Sequence, residues 1–228
     1  MKRSEFMIMD YPWLVKYFAS KNPLHLLLLV VPVWLISSSF ILLSDKNLFE
    51  LVLLFVLGTI YWTFVEYGIH RWIYHTEFKH PTLNYFLGSF HQYHHKQMDD
   101  RRVYNAGYLM VYSLVPILLM PFYLLNLNSD SLATMTLGLS AGHFFYEYVH
   151  FILHYKVHNG GYFNYIQKYH FYHHDYAPLK NFGNTSHLWD YIFGTYDRNY
   201  INYKMPLTSE KSLITSNQLE LDAIPSGQ

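Results

Sequence analysis

The 228-residue sequence predicts an all-α integral membrane protein, with four transmembrane helices in two hairpins and a helical cap at one end. Three observations predict it. Four apolar runs, at about residues 24–43, 48–69, 106–127 and 132–151, are each long enough to cross a hydrocarbon core of roughly 30 Å. The basic residues divide unevenly between the two sides that these runs define. Aromatic residues make up 20% of the chain, including 23 tyrosines, a usage suited to a water–lipid boundary.

The opening segment, MKRSEFMIMDYPWLVKYF, mixes basic and aromatic residues and is expected to lie along the membrane interface. It carries no cleavable signal-peptide pattern. The first span, LHLLLLVVPVWLISSSFILL, has no formal charge, and the second is interrupted only by Glu50 near its start and Glu66 near its end. The third is uncharged and contains Pro116 and Pro121, which a membrane helix tolerates better than a soluble one. A polar NSD turn leads into the fourth, whose one acid is Glu147. Residues 1–201 read as a single domain, and 202–228 as a polar, loosely ordered tail. A soluble bundle is the alternative, but uncharged runs of this length are hard to hide in so small a domain.

The turns at 44–47 and 128–131 hold one of the sixteen lysines and arginines, Lys46. The others lie in the N-terminal segment, the central segment 71–105 and the stretch after the fourth span, tail included, which places both termini and the cap in the cytoplasm. The host membrane would be the endoplasmic reticulum in a eukaryote and the cytoplasmic membrane in a bacterium. A net charge of zero gives a nucleic-acid partner no electrostatic support. The absence of cysteine excludes disulfides, thiolate metal sites and a cysteine nucleophile. No GxSxG, GxxxxGK or GxGxxG pattern points to a serine hydrolase or a nucleotide.

Ten of the fifteen histidines fall into four clusters: HRWIYH (His70, His75), HQYHH (His91, His94, His95), HFILH (His150, His154) and HFYHH (His170, His173, His174). The predicted topology carries all four to one membrane face. Positions i, i+3 and i+4 share a helix face, so each HxxHH motif presents three rings together. His70 and His75 are about 140° apart on an ideal helix and would approach a centre from different angles or across a helix end. Imidazole is a common ligand for zinc, copper and iron, and ten rings exceed what one ion takes, so two metal ions are expected. Glu66 and Glu147 precede His70 and His150 by one turn, where a carboxylate could receive a ligand's outer ring N–H. His143 continues the stripe of His150 and Glu147. It is expected near the site but outside the ligand set, as is His187. His25, His80 and His158 read as polar interfacial residues.

These motifs resemble the fatty acid hydroxylase family, an integral-membrane superfamily that also holds sterol desaturases and methyl oxidases. EYGIHRWIYH is similar to the family's first box, HQYHHK followed by DDRRV to its second, YEYVHFILHY to its third and YIQKYHFYHH to its fourth. NFGNTSHLWDYIFGTY, which contains His187 and Asp190, is similar to its closing signature. Among the branches, the fatty acid 2-hydroxylases match best. Leu87 and Gln92 stand where many of them have a further histidine and a glycine, and Asn105 and Ala106 stand where they have Pro-Pro. The resemblance implies a non-haem dimetal centre, with iron expected and zinc able to occupy it, ligated by the ten clustered histidines. His143, His187, Asp190, Glu66 and Glu147 would surround it. O₂ would be the co-substrate and a lipid acyl chain, in a fatty acid or a sphingolipid, the substrate.

Such chemistry consumes electrons. The chain has no His-Pro-Gly-Gly haem-binding segment and no cysteine for an iron–sulfur cluster, so the expected donor is a separate protein, a cytochrome b5 or a ferredoxin with its reductase. Lys96, Arg101 and Arg102 are candidates for meeting an acidic donor. The alternatives are a desaturase or a sterol or carotenoid hydroxylase using the same ligands and, outside the enzymes, a histidine-rich metal transporter.

Overall fold

The structure is a computed structural model that describes residues 19–20, 24–98, 100 and 104–205. The opening segment, Arg101, Arg102 and the tail beyond residue 205 lie outside the described residues.

Each apolar run forms a helix. Helix α1 (Leu24–Leu42) and α2 (Leu48–Gly68) make the first hairpin. Asn47 starts α2 with a capping box: its side chain accepts from the Glu50 N–H, while Glu50 accepts from the Asn47 N–H, both at 3.0 Å. Helices α4 (Tyr108–Leu124) and α5 (Ser129–Tyr155) make the second hairpin. The turns at the far end are tied together by Lys46, whose Nζ lies 2.9 Å from Asp130 Oδ2.

Among the described residues, two helices are long and apolar enough to cross a membrane, over His25–Leu42 and Leu48–Tyr74. Their apolar residues are not hidden in a core: Leu28, Leu35, Ile36 and Leu42 of α1, and Leu48, Phe49 and Val52 of α2, are exposed. Helix α4 is apolar but shorter than its run of sequence. Its start is displaced because Asn105 and Ala106 form a two-residue strand, β2, antiparallel to β1 (Ala19–Ser20), and Gly107 then caps the helix.

Helix α5 is the central element, packed along both α1 and α2. Encirclement by protein explains why it carries Ser, Thr, Gly and His where its neighbours carry Leu and Phe. Small residues let the backbones approach, as they do in membrane helix pairs. A Cβ on Gly138 would collide with the Phe55 carbonyl, and one on Gly58 with the Met135 carbonyl. Thr59 Oγ1 donates to Gly138 O across the same contact at 3.1 Å. The obstacle at Gly138 is backbone, which cannot rotate away. Gly138→Ala is therefore expected to cost about 3 kcal/mol, read as a lower melting temperature in detergent.

The cap consists of α3 (Pro81–Lys96), α6 (Gly161–Asp175), the short α7 (Leu188–Ile192) and a 3₁₀ turn (Arg198–Asn202). Val149 and Leu153 of α5, Ile166 and Tyr169 of α6, and Tyr200 form its core. Tyr203 is buried and its hydroxyl donates to Asp175 Oδ2 at 2.5 Å, closing the end of α6.

Candidate metal centre

Four elements bring the histidine clusters together. Beyond Gly68, helix α2 widens into a π-helical turn over Ile69–Tyr74. In that wider turn residues five apart draw toward one side, and the His70 and His75 ring centroids lie 5.1 Å apart. His75 is the C-cap of that turn, so the two rings meet across a helix end, one of the two approaches the spacing allows. Helix α3 contributes His91, His94 and His95 from its last turns, α5 contributes His150 and His154, and α6 contributes His170, His173 and His174.

Nine of the ten sort into two groups. His70, His75, His91, His95 and His173 form one, and His94, His150, His154 and His170 the other. Within each group the ligand atoms lie within 4.8 Å of one another. The tenth, His174, lies at the junction, its ring stacked 4.0 Å from that of His95 and edge-on to that of His170 at 4.4 Å. Neither of its ring nitrogens has a hydrogen-bond partner. Helix α3 supplies both groups, because His91 and His95 share a face that His94 leaves.

The geometry fits metal ions better than hydrogen bonds. His91 Nε2 faces three other Nε2 atoms: those of His70 at 3.0 Å, His75 at 2.9 Å and His95 at 2.9 Å. One proton can serve only one of those contacts. In the second group His150 Nε2 lies 3.1 Å from His94 Nε2, and His154 Nε2 lies 2.9 Å from His170 Nε2. Two nitrogens bound to one ion at about 2.1 Å stand about 3.0–3.4 Å apart, which is the spacing seen. The outer nitrogens agree. His150 Nδ1 donates to the Tyr104 carbonyl at 2.8 Å, His173 Nδ1 to the Lys180 carbonyl at 2.7 Å, and His70 Nδ1 to the Phe182 carbonyl. A carbonyl only accepts, so the proton sits on Nδ1 and the Nε2 lone pair is free for a metal.

These carbonyls correct the expected role of the two acids. Neither Glu66 nor Glu147 receives a ring N–H. Glu66 instead accepts from the Asn184 N–H at 2.7 Å, the Thr185 N–H at 2.9 Å and Thr185 Oγ1 at 2.8 Å. It thereby holds the loop whose Phe182 carbonyl orients His70. Asp190 pins the other end of that loop, accepting from the N–H groups of Phe182 at 2.9 Å and Gly183 at 2.8 Å. Glu147 does the same for the segment beside Tyr104, accepting from Asn105 Nδ2 at 2.7 Å and the Ala106 N–H at 3.1 Å. Each acid acts one step removed from a ligand. Glu66→Ala is expected to weaken metal binding about 10–100-fold while leaving all ten histidines in place, as measured by chelator competition.

A cavity runs from this centre between the helices. His70, His91, His94 and His150 close its inner end with Tyr74, Tyr146 and Asn184, so it touches both groups. Leu29, Val30, Val33, Val115, Leu118 and Leu139 give it apolar walls. The sequence gives no sign of Tyr74, or of the three orienting carbonyls, because neither a lone tyrosine nor a backbone group stands out by spacing. Of the two histidines expected near the site, His143 lines the cavity. His187 does not: it packs against Tyr165 and Tyr169 of α6 and against Tyr191 and Tyr196.

Comparison with known proteins agrees with this arrangement. The family model for fatty acid hydroxylase matches residues 55–195, which hold all ten histidines. The dihydroceramide fatty acyl 2-hydroxylase FAH1 of Arabidopsis thaliana is 33% identical over 174 residues, 73% of this chain and 69% of the relative. FAH2 of the same plant is 31% identical over 151 residues, 64% of this chain and 61% of the relative. The chain thus spans less than two thirds of the second relative's length. A solved structure described as full-length scs7p, with only its hydroxylase domain visible, superposes with a TM-score of 0.65 at 27% identity, covering 87% of this chain and 73% of that one. The matched region, the relatives and the paired histidine groups agree: this chain belongs to the fatty acid hydroxylase family.

Proposed function

We propose that this chain is a membrane-embedded dimetal hydroxylase that inserts oxygen at C2 of the acyl chain of a fatty acid or sphingolipid. The observation that carries the proposal is the apolar cavity ending on histidines of both groups. Along α5 it is lined from Thr136 to His150, which is about 21 Å of helix, enough for a long acyl chain. The relatives' names, fatty acyl and dihydroceramide 2-hydroxylases, give the position of attack.

When bound, the two ions, iron in this reading, supply the oxidising power: R–H, O₂, two electrons and two protons give R–OH and water. The chain's own residues do the rest. The aliphatic walls bind the chain and exclude water, and Tyr74 and Tyr146 frame the reacting end beside His91 and His150. In this reading the chain forms a single domain that crosses the bilayer four times with the cap in the cytoplasm. α4 and α5 are then the third and fourth spans, and the tail takes no part in catalysis. Electrons come from a redox protein, a cytochrome b5 or a ferredoxin with its reductase, docking on the cap near Lys96.

A desaturase uses the same ligands and is separated only by its product. A transporter is disfavoured because ligands on a transport path belong near mid-bilayer, whereas these sit at the cap end of α2 and α5. The test is lipid mass spectrometry after heterologous expression. A 2-hydroxylated acyl chain supports the proposal, a new double bond supports the desaturase, and unchanged lipids with altered metal uptake support transport.

A further inference from the structure

Midway along the cavity the apolar wall is broken by two polar groups that nothing satisfies. His143 is 7% exposed and neither of its ring nitrogens has a hydrogen-bond partner; Trp62 is also 7% exposed and its Nε1 has none. Both line the cavity, and their rings meet edge-on with centroids 4.6 Å apart. That packing offers at most a weak N–H···π contact. Thr136 and Ser140, polar side chains of the same α5 wall, are satisfied within the bundle. Thr136 Oγ1 donates to Leu132 O at 2.7 Å, and Ser140 Oγ donates to Leu137 O at 3.0 Å while accepting from Trp34 Nε1 at 3.1 Å. Buried polar groups are rarely left unpaired without a reason.

The metal centre does not supply that reason. His143 belongs to neither histidine group and lies seven residues from His150, about 10 Å along the helix. The placement is also built in. A Cβ on Gly142 would press into the Trp62 side chain at 2.8 Å, so glycine is what lets the indole reach His143. Trp62 Nε1 can only donate, while an imidazole can donate or accept. A hydroxyl or a carbonyl oxygen meets that pair. A carboxylate does not, because no lysine or arginine is among the described cavity-lining residues and a buried charge without a partner is costly.

We propose that His143 and Trp62 form a polar subsite for a hydroxyl or carbonyl oxygen carried on the substrate's own acyl chain. This rests on the reading of the cavity as the acyl-chain site. The 10 Å offset corresponds to roughly eight bonds of an extended chain. With C2 at the metals, the oxygen then belongs near C10, and the preferred substrate class is a mid-chain oxygenated acyl chain.

The experiment compares octadecanoyl and 10-hydroxyoctadecanoyl chains on the same head group, using the full, metal-loaded protein in detergent, with O₂ and with a cytochrome b5 or ferredoxin and its reductase supplied for the turnover measurements. Affinity is read by tryptophan fluorescence or ligand-induced thermal shift, and products by mass spectrometry. The hydroxylated chain is expected to bind about tenfold tighter and to show about a tenfold higher kcat/KM. In His143→Leu and Trp62→Phe that ratio should fall to near one, with metal content unchanged. Equal affinities in the unmodified protein, the result expected if the pair only holds a water, would overturn the subsite, as would a preference that survives in both variants. Discrimination in binding with neither chain oxidised would leave the subsite standing and refute the hydroxylase reading. Hydroxylation of both chains without discrimination would do the reverse.

Discussion

Replacing His94 with alanine is expected to remove one metal ion and abolish turnover. His94 is 1% exposed, and its Nε2 lies 3.1 Å from that of His150. Its ring also packs 4.6 Å from His154 and 4.8 Å from His174. It is the only member of its group supplied by α3, which also carries His91 and His95 of the other group. Its loss leaves three rings around a position that needs at least four ligands, and it opens a void at the inner end of the cavity. Metal analysis should fall from about two ions per chain to about one, with product below detection. Lys96, two residues further along α3, belongs to neither group, so Lys96→Ala should keep both ions. Metal content unchanged by His94→Ala, with turnover retained, would refute the assignment of the second group.

Much of this was legible in the sequence because hydropathy and spacing are properties of side chains. The apolar runs predict helices at α1 and α2 to within a residue or so, and the cluster spacings pick out the ten rings that meet at the centre, though not how each HxxHH motif divides between the two groups. What escaped prediction is carried by backbone. The π-helical turn over Ile69–Tyr74, which brings His70 and His75 together, has no side-chain signature, and an ideal helix gives the wrong angle. The carbonyls of Tyr104, Lys180 and Phe182 orient three histidines and belong to residues of unrelated type. Glu66 and Glu147 stand out by position, but their role does not. Their partners lie more than a hundred and about forty residues away, in contacts that only the fold reveals. Helix α4 starts late for the same kind of reason, because pairing of Ala106 with Ala19 takes a residue that composition assigns to the span.

Mild acid is expected to strip the metals and then unfold the cap. Burial pushes the His173 imidazole from its ordinary 6.5 down to about 4, despite the bond to the Lys180 carbonyl. Burial, with charge on neighbouring imidazoles adding to it, holds His91, His94, His95, His170 and His174 well below 6.5. A depressed folded-state pKa means that the unfolded chain binds more protons than the folded one throughout the interval, so stability rises with pH there. The stabilisation is complete above 6.5 and is lost as pH falls toward about 4. Protons and metal compete for the same Nε2 atoms, so release should fall in the same interval. The rings touch, so protonating one opens the site for the rest, and the loss should be steeper than a single titration. Metal retention and melting temperature are to be measured together between pH 7.5 and 4. Both should be flat above about 6.5 and fall together below it, with the metal-free protein failing at the higher pH. Retention of both ions and an unchanged melting temperature down to pH 4 would mean that these imidazoles are not the groups that hold the metal and the cap together.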